Sequence, residues 1–170
     1  MTDAKPRKTG SKPVASITFD ETDQRILELL QQDSDTPVQA ISEAVGLSTN
    51  PCWRRIKRME EAGLITRRVA LVDHERANVP LTVFIGIRTP RHEIDWLNRF
   101  RDLIDEIPEI LEAYRLTGTV DYILKVVVPD MASYDGVYKR MIERLDFSQV
   151  NSMISMEELK FTTAIPTKYL

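Results

Sequence analysis

The chain has little of what redox or metal chemistry needs. Its 170 residues include one cysteine, Cys52, and two histidines, His74 and His92. A lone cysteine excludes an internal disulfide framework, and two histidines leave little material for a zinc site. No run of about 18 apolar residues is present to span a bilayer, and the N-terminal MTDAKPRKTGSKPVAS lacks the apolar centre of a secretory signal. The expected location is therefore the cytoplasm. An excess of positive charge is missing as well. Against 23 Lys and Arg stand 26 Asp and Glu, a net charge of −3, which argues against a general polyanion binder.

What is present is sufficient for real cores: 42% of residues are hydrophobic, enough for one ordinary domain or two small ones. The tail 1–18 carries Lys5, Arg7, Lys8 and Lys12 and is expected to be a disordered basic leader, solubilising or lying along phosphates. After Phe19, Asp20 suits a helix N-cap with Asp23 in the first turn, and Ile26, Leu29 and Leu30 form an apolar stripe. A second helix follows, with Thr36 as N-cap, Pro37 in the first helical position, apolar Val38, Ile41 and Val45, and Gly46 as the left-handed stop. Ser48 then caps a third helix whose first turn holds Pro51. Two short helices joined through a glycine turn predict a helix-turn-helix, about Val38 to Lys57.

Positive charge concentrates on the third helix at Arg54, Arg55, Lys57 and Arg58. At about 100° per residue Cys52, Ile56 and Met59 share one side and must face the other helices. Asn50, Arg54, Lys57 and Arg58 then lie opposite. That is where a recognition helix meets a duplex, arginine gripping guanine, asparagine adenine, and the remaining cations phosphate. The expected DNA-facing set is Ser48, Thr49, Asn50, Arg54, Arg55, Lys57 and Arg58. Cys52 reads as a small core residue, and Trp53, at the edge of the apolar face, as a packing residue first and a contact to the DNA backbone second. Beyond Gly63, Ile65 to Val72 is expected to be an extended strand, on which Arg67 and Arg68 touch phosphate or keep the edge soluble.

The runs FDETDQRILELLQ, VQAISEAVGLS and Cys-x-Arg-Arg-Ile-x-Arg-Met-Glu-x-x-Gly-Leu-Ile resemble the DNA-binding half of the Lrp/AsnC family of transcription regulators. The later LTGTVDYILKVVVPDMASYDGVYKRMIERL resembles the effector-sensing half of the same family, so the resemblance covers about Phe19 to Glu158. It implies a double-stranded DNA partner, an amino-acid effector, and a homodimer assembling further to tetramers or octamers in the cytoplasm, on the nucleoid. It also implies an effector site at Gly118, Thr119 and Asp121, with Leu116 and Tyr122 beside them. Where many relatives place an acidic residue directly after the glycine, this chain has Thr119. The same Gly118 and Asp121 also suit a plain hairpin turn.

The second half reads independently as βαββαβ. Strands are expected at Leu81 to Thr89, Ile110 to Thr117, Tyr122 to Val128 and Val150 to Glu158. Helices are expected at Glu93 to Ile107, with Ile94, Leu97, Phe100, Ile104 and Ile107 inward, and at Met131 to Leu145, with Tyr134, Tyr138, Met141 and Leu145 inward. Right-handed crossovers make this a ferredoxin-like sheet with both helices on one face. The expected class is thus α+β. A basic tail (1–18), a winged-helix-like DNA-binding domain (19–64) and a hinge strand and linker (65–80) precede a sensing and oligomerisation domain (81–160) and a C-terminal tail (161–170). No cofactor, metal or catalytic residue is expected: no nucleophile–base constellation is visible, and both histidines are expected at the surface. The rival readings are an architectural DNA-wrapping protein without ligand response, and a haem-pathway decarboxylase of related architecture.

Overall fold

The structure, a computed structural model, describes residues 18–91 and 93–170. The basic leader up to residue 17 and His92 lie outside the described residues. The chain divides into two compact units. One is Leu71–Leu159; the other takes the described residues up to Ala70 together with Lys160–Leu170.

In the first-starting unit, α1 (Glu21–Gln32) opens with a capping box. The Asp20 carboxylate accepts from the Asp23 N–H at 2.9 Å, and the Asp23 carboxylate accepts from the Asp20 N–H at 3.1 Å. Helix α2 (Val38–Ala44) begins one residue later than its sequence suggested, because Pro37 is extended (φ −58, ψ 140) and itself occupies the N-cap. Gly46, at φ +70, ends the helix in the left-handed conformation that only glycine adopts freely. Helix α3 (Thr49–Glu61) follows. Ile26, Ile41, Cys52, Ile56 and Met59 form the core of these three helices, as their spacing predicts.

The C-terminal residues are no free tail. The Gln31 side-chain amide brackets the Ile165 main chain, donating to its carbonyl at 3.1 Å and accepting its N–H at 2.6 Å. Thr167, buried at the start of a short 3-10 turn (Thr167–Tyr169), donates to Glu28 Oε1 at 2.6 Å.

The expected strand at Ile65 to Val72 is not a strand. The segment runs without ladder pairing and exposes Val69, Leu71 and Val72. Extended backbone needs a neighbouring strand to become a sheet, and none lies beside it among the described residues.

The other unit has the expected order β1 (Leu81–Arg88), α4 (Ile94–Glu106), β2 (Ile110–Arg115), β3 (Tyr122–Val128), α5 (Met131–Arg144), β4 (Gln149–Ile154). The antiparallel sheet is ordered β2-β3-β1-β4, with β1 between β3 and β4. Val83, Ile85, Ile87, Leu124, Val126 and Val128 pack on one face against both helices, so the helices share that face. In helix α4, Phe100 and Ile107 are buried and Leu97 and Ile104 pack against the core, as their spacing predicts, whereas Ile94 is 77% exposed. Trp96 and Leu103 join the buried side; the Trp96 ring stacks on Phe100 at 5.0 Å and donates its indole N–H to the Asp146 carbonyl at 2.9 Å. Among the described residues no helix packs on the opposite face of the sheet. There Phe84 stands between Lys125 and Met153, and Ile123 beside Tyr114.

Candidate nucleic-acid interface and sensing loop

Helix α3 is amphipathic, but its outer surface is not one uniform basic face. With Cys52, Ile56 and Met59 buried, Arg55 and Arg58 fall about 60° and 120° to one side, toward the start of α1. Asp23 waits there with a side chain that is 0% exposed. Arg55 Nη1 donates to both oxygens of Asp20 at 2.8 Å and to Asp23 Oδ1 at 2.9 Å. Arg58 Nη2 donates to Asp23 Oδ2, and its guanidinium lies 5.7 Å from the centre of the Phe19 ring. Asp23 thus accepts from two arginines and from the Asp20 N–H. The Asp23 N–H, followed by Arg55, holds the Asp20 carboxyl below its ordinary range, and hydrogen bonds from Arg55 to Asp20 and Asp23 push the guanidinium pKa up.

These two arginines, expected to face DNA, therefore face the protein's own carboxylates. The partners lie more than thirty positions away in sequence, beyond the reach of a helical wheel. Lys57, on the outward side, pairs with Glu60 at 2.6 Å, one turn after it. Arg54 is exposed and has no ion pair among the described residues. Ser48, Thr49 and Asn50 are exposed at the start of the helix. Ser48 sits at the N-cap position without a side-chain capping bond. Trp53 is half exposed, at 50%, beside Arg54, and lies outside the core cluster. Its position about 100° from Cys52 is the signal in the sequence that places it outside the buried stripe. Cys52 is buried, and burial pushes its thiol pKa up. Beyond the helix, Arg68 reaches Glu60 at 3.3 Å, while Arg67 is exposed.

The link between β2 and β3 is the second candidate site. The Leu116 N–H donates to the Asp121 carbonyl and the Asp121 N–H to the Ile87 carbonyl, both at 2.8 Å. The Asp121 carboxylate accepts from the Thr89 N–H, also at 2.8 Å. Asp121 thus ties the link to the end of β1 through one oxygen. Gly118 has φ +136, a conformation closed to other residues without strain. Val120 folds over Gly86, where an added Cβ would stand 3.2 Å from Val120 Cγ1. Leu116, Gly118 and Thr119 are exposed together. Tyr122 does not join them. It is 7% exposed and packs its ring 4.9 Å from Phe100 in the helix-side core, because it is the first inward position of β3. His74, expected at the surface, is half-buried in the turn preceding β1, with Nδ1 buried.

Two family models divide the chain between them. A winged helix-turn-helix DNA-binding model matches residues 19–66 and the Lrp/AsnC ligand binding domain matches residues 82–165. The chain is 43% identical over 149 residues to the DNA-binding transcriptional activator DecR of Escherichia coli, across 87% of this chain and 98% of that one. The chain belongs to the Lrp/AsnC family of transcriptional regulators. Another member, the glutamate uptake regulatory protein of Zymomonas mobilis, is 43% identical over 148 residues, 87% of this chain and 90% of that one. Among solved structures, an AsnC family regulator from Agrobacterium tumefaciens aligns with a TM-score of 0.86 at 51% identity, covering 89% of this chain and 99% of that one. A Neisseria meningitidis regulator in complex with L-Met aligns with a TM-score of 0.85 at 32% identity, over the same shares. This Lrp/AsnC regulator therefore joins a DNA-binding helix-turn-helix to a ligand-binding α+β domain. The relatives are named as transcription regulators, and no described helix is long and apolar enough to cross a membrane.

Proposed function

We propose that this chain controls transcription in the cytoplasm, at the nucleoid, as a homodimer whose DNA affinity or higher assembly shifts when an amino acid binds its sensing domain. The observation that carries the DNA part is the exposed arc of α3, where Asn50, Trp53 and Arg54 stand together beyond Ser48 and Thr49. On this reading Arg54 grips a base edge or phosphate, Asn50 a base edge, and the Trp53 ring meets apolar groups such as thymine methyls. Lys57 adds charge once it exchanges Glu60 for a phosphate. A single helix of this length reads few base pairs. Two copies placed on half-sites about one helical turn apart gain specificity.

The sheet face on which no described helix packs supports the dimer. Phe84, Ile123, Met153 and Tyr114 line it around the Lys125–Glu112 pair, and a second copy of the sheet is the economical cover. For the effector, the names of two relatives point to amino acids: one is a glutamate uptake regulator and one was solved with L-Met. We assign the effector to the link, where the exposed Leu116, Gly118 and Thr119 adjoin the Asp121 oxygen not used by Thr89. That oxygen suits an ammonium group, and exposed backbone amides suit a carboxylate.

The test is selection of a preferred duplex from a random pool, followed by gel shift with Arg54→Gln and Trp53→Ala and with each of the twenty amino acids. A preferred sequence, weakened by both substitutions and shifted by one amino acid, is the expected result. Binding without sequence preference overturns the regulator reading, and preference without any amino-acid response overturns the effector assignment.

A further inference from the structure

We infer that Asp23, gripped by Arg55 and Arg58, is a positioning device that sets how α3 is presented to DNA, and that these two arginines are not themselves DNA ligands. The inference rests on the closure of the cluster. A fully buried carboxylate cannot remain ionised without donors, and Asp23 has three: Arg55 on Oδ1, and Arg58 with the Asp20 N–H on Oδ2. Withdrawing either guanidinium toward a phosphate would strip a buried charge of a partner. Arg58 is committed further. Its Nε–H is buried without an acceptor, and its plane packs on Phe19. Arg55 is committed by geometry, since one Nη1 group bridges two carboxylates, Asp20 and Asp23.

The placement gives the cluster its role. Asp20 and Asp23 stand in the N-terminal turn of α1, and their capping box fixes both carboxylates relative to that helix axis. Arg55 and Arg58, one turn apart along one flank of α3, meet them side by side. A two-point attachment adds to the apolar packing of Cys52, Ile56 and Met59 a directional resistance to rotation of α3 about its own axis. Rotation by one residue's arc would carry Arg54 and Trp53 away from the surface they now share. The clamp on one flank thus determines where the opposite arc points, and the basic cluster splits into anchoring and reading members.

Salt dependence separates the two roles. Every phosphate that a cation ceases to neutralise lowers the slope of log affinity against log salt by about 0.9. The full chain is measured on sheared genomic duplex and on its selected operator, at a temperature where every variant is folded. Arg54→Gln serves as the reference for a residue that touches DNA and is expected to flatten the slope on one duplex or the other, or to lose the preference between them. Arg55→Gln and Arg58→Gln are expected to lower the melting temperature and to reduce operator affinity several-fold, with the slope unchanged. Pairing Asp23→Asn with Arg58→Gln is expected to reduce operator affinity by less than the product of the single effects. If the glutamine variants do not fold, Arg55→Lys and Arg58→Lys keep the charge and lose the planar fork; reduced operator affinity at an unchanged slope is then expected. Flattening of the slope by Arg55→Gln or Arg58→Gln without loss of melting temperature overturns the proposal. So does operator affinity that is unaltered in folded Lys variants, or a strictly multiplicative double variant.

Discussion

Substitutions at Asp121 separate holding the fold from sensing a ligand, because the two roles fall on different oxygens. Oδ2 accepts the Thr89 N–H at 2.8 Å in a half-buried setting. Asp121→Ala leaves that donor without an acceptor. Hydrogen bonds to charged groups contribute about 1.5 to 3 kcal/mol, and partial exposure places this one near the lower end. For a unit of this size each kcal/mol moves the melting temperature by about 4 to 8 °C. Asp121→Ala is therefore expected to lower the melting of the sensing unit by roughly 6 to 12 °C. Asp121→Asn keeps a carbonyl oxygen for Thr89 and removes the charge, so its melting is expected within a few degrees of the parent. The assay is calorimetry with and without each amino acid, since a ligand of the native state raises its melting point. If the effector's ammonium group binds Asp121, the asparagine variant loses the ligand-induced rise while keeping the fold. A rise that persists in Asp121→Asn refutes the assignment of that oxygen to the ligand. An alanine variant as stable as the parent refutes the tie to Thr89.

Three further outcomes follow from the packing of the DNA-binding unit. Removing residues 165–170 deletes the Gln31–Ile165 pair and the Thr167–Glu28 bond, and is expected to destabilise this unit by about 1 to 3 kcal/mol at about 1 kcal/mol per bond; an unchanged denaturation midpoint would count against the docked tail. Cys52, at 0% exposure with its thiol pKa raised by burial, is expected to react with a thiol reagent only at the rate of unfolding; rapid labelling of native protein would contradict the core assignment. Asp20 has a folded pKa below its ordinary value of 3.8, so its contribution is present above that pH and is lost as pH falls through the lowered value. Acid titration of stability should therefore steepen below about pH 4, and Asp20→Asn should flatten that limb; identical limbs in the two proteins would refute it.

Much of the architecture was legible in the residues. Periodicity located the five α-helices and four strands of the described residues, though not the 3-10 turn at Thr167–Tyr169, and the angles along α3 separated its buried side from Arg54. What eluded the pattern was tertiary. Arg55 and Arg58 look like duplex ligands until Asp20 and Asp23, on another helix, come to meet them. Helix α4 offers apolar residues at 94, 96, 97, 100, 103, 104 and 107; periodicity placed 97, 100, 104 and 107 on the core, but Ile94 is exposed and Trp96, whose indole N–H finds the Asp146 carbonyl, is buried. Tyr122 adjoins the link in sequence, yet strand alternation sends its ring to the far side, into the aromatic core. Val69, Leu71 and Val72 have strand-forming chemistry, but a ladder requires a second edge that local sequence cannot supply.

The return of Lys160–Leu170 to α1 means that the DNA-binding half is discontinuous in the chain. Among the described residues it meets the sensing half along the chain twice, at Ala70–Leu71 and at Leu159–Lys160. A fragment ended near residue 66 to isolate the helix-turn-helix would discard part of its own packing, and a single proteolytic nick at the hinge would not set the two halves free.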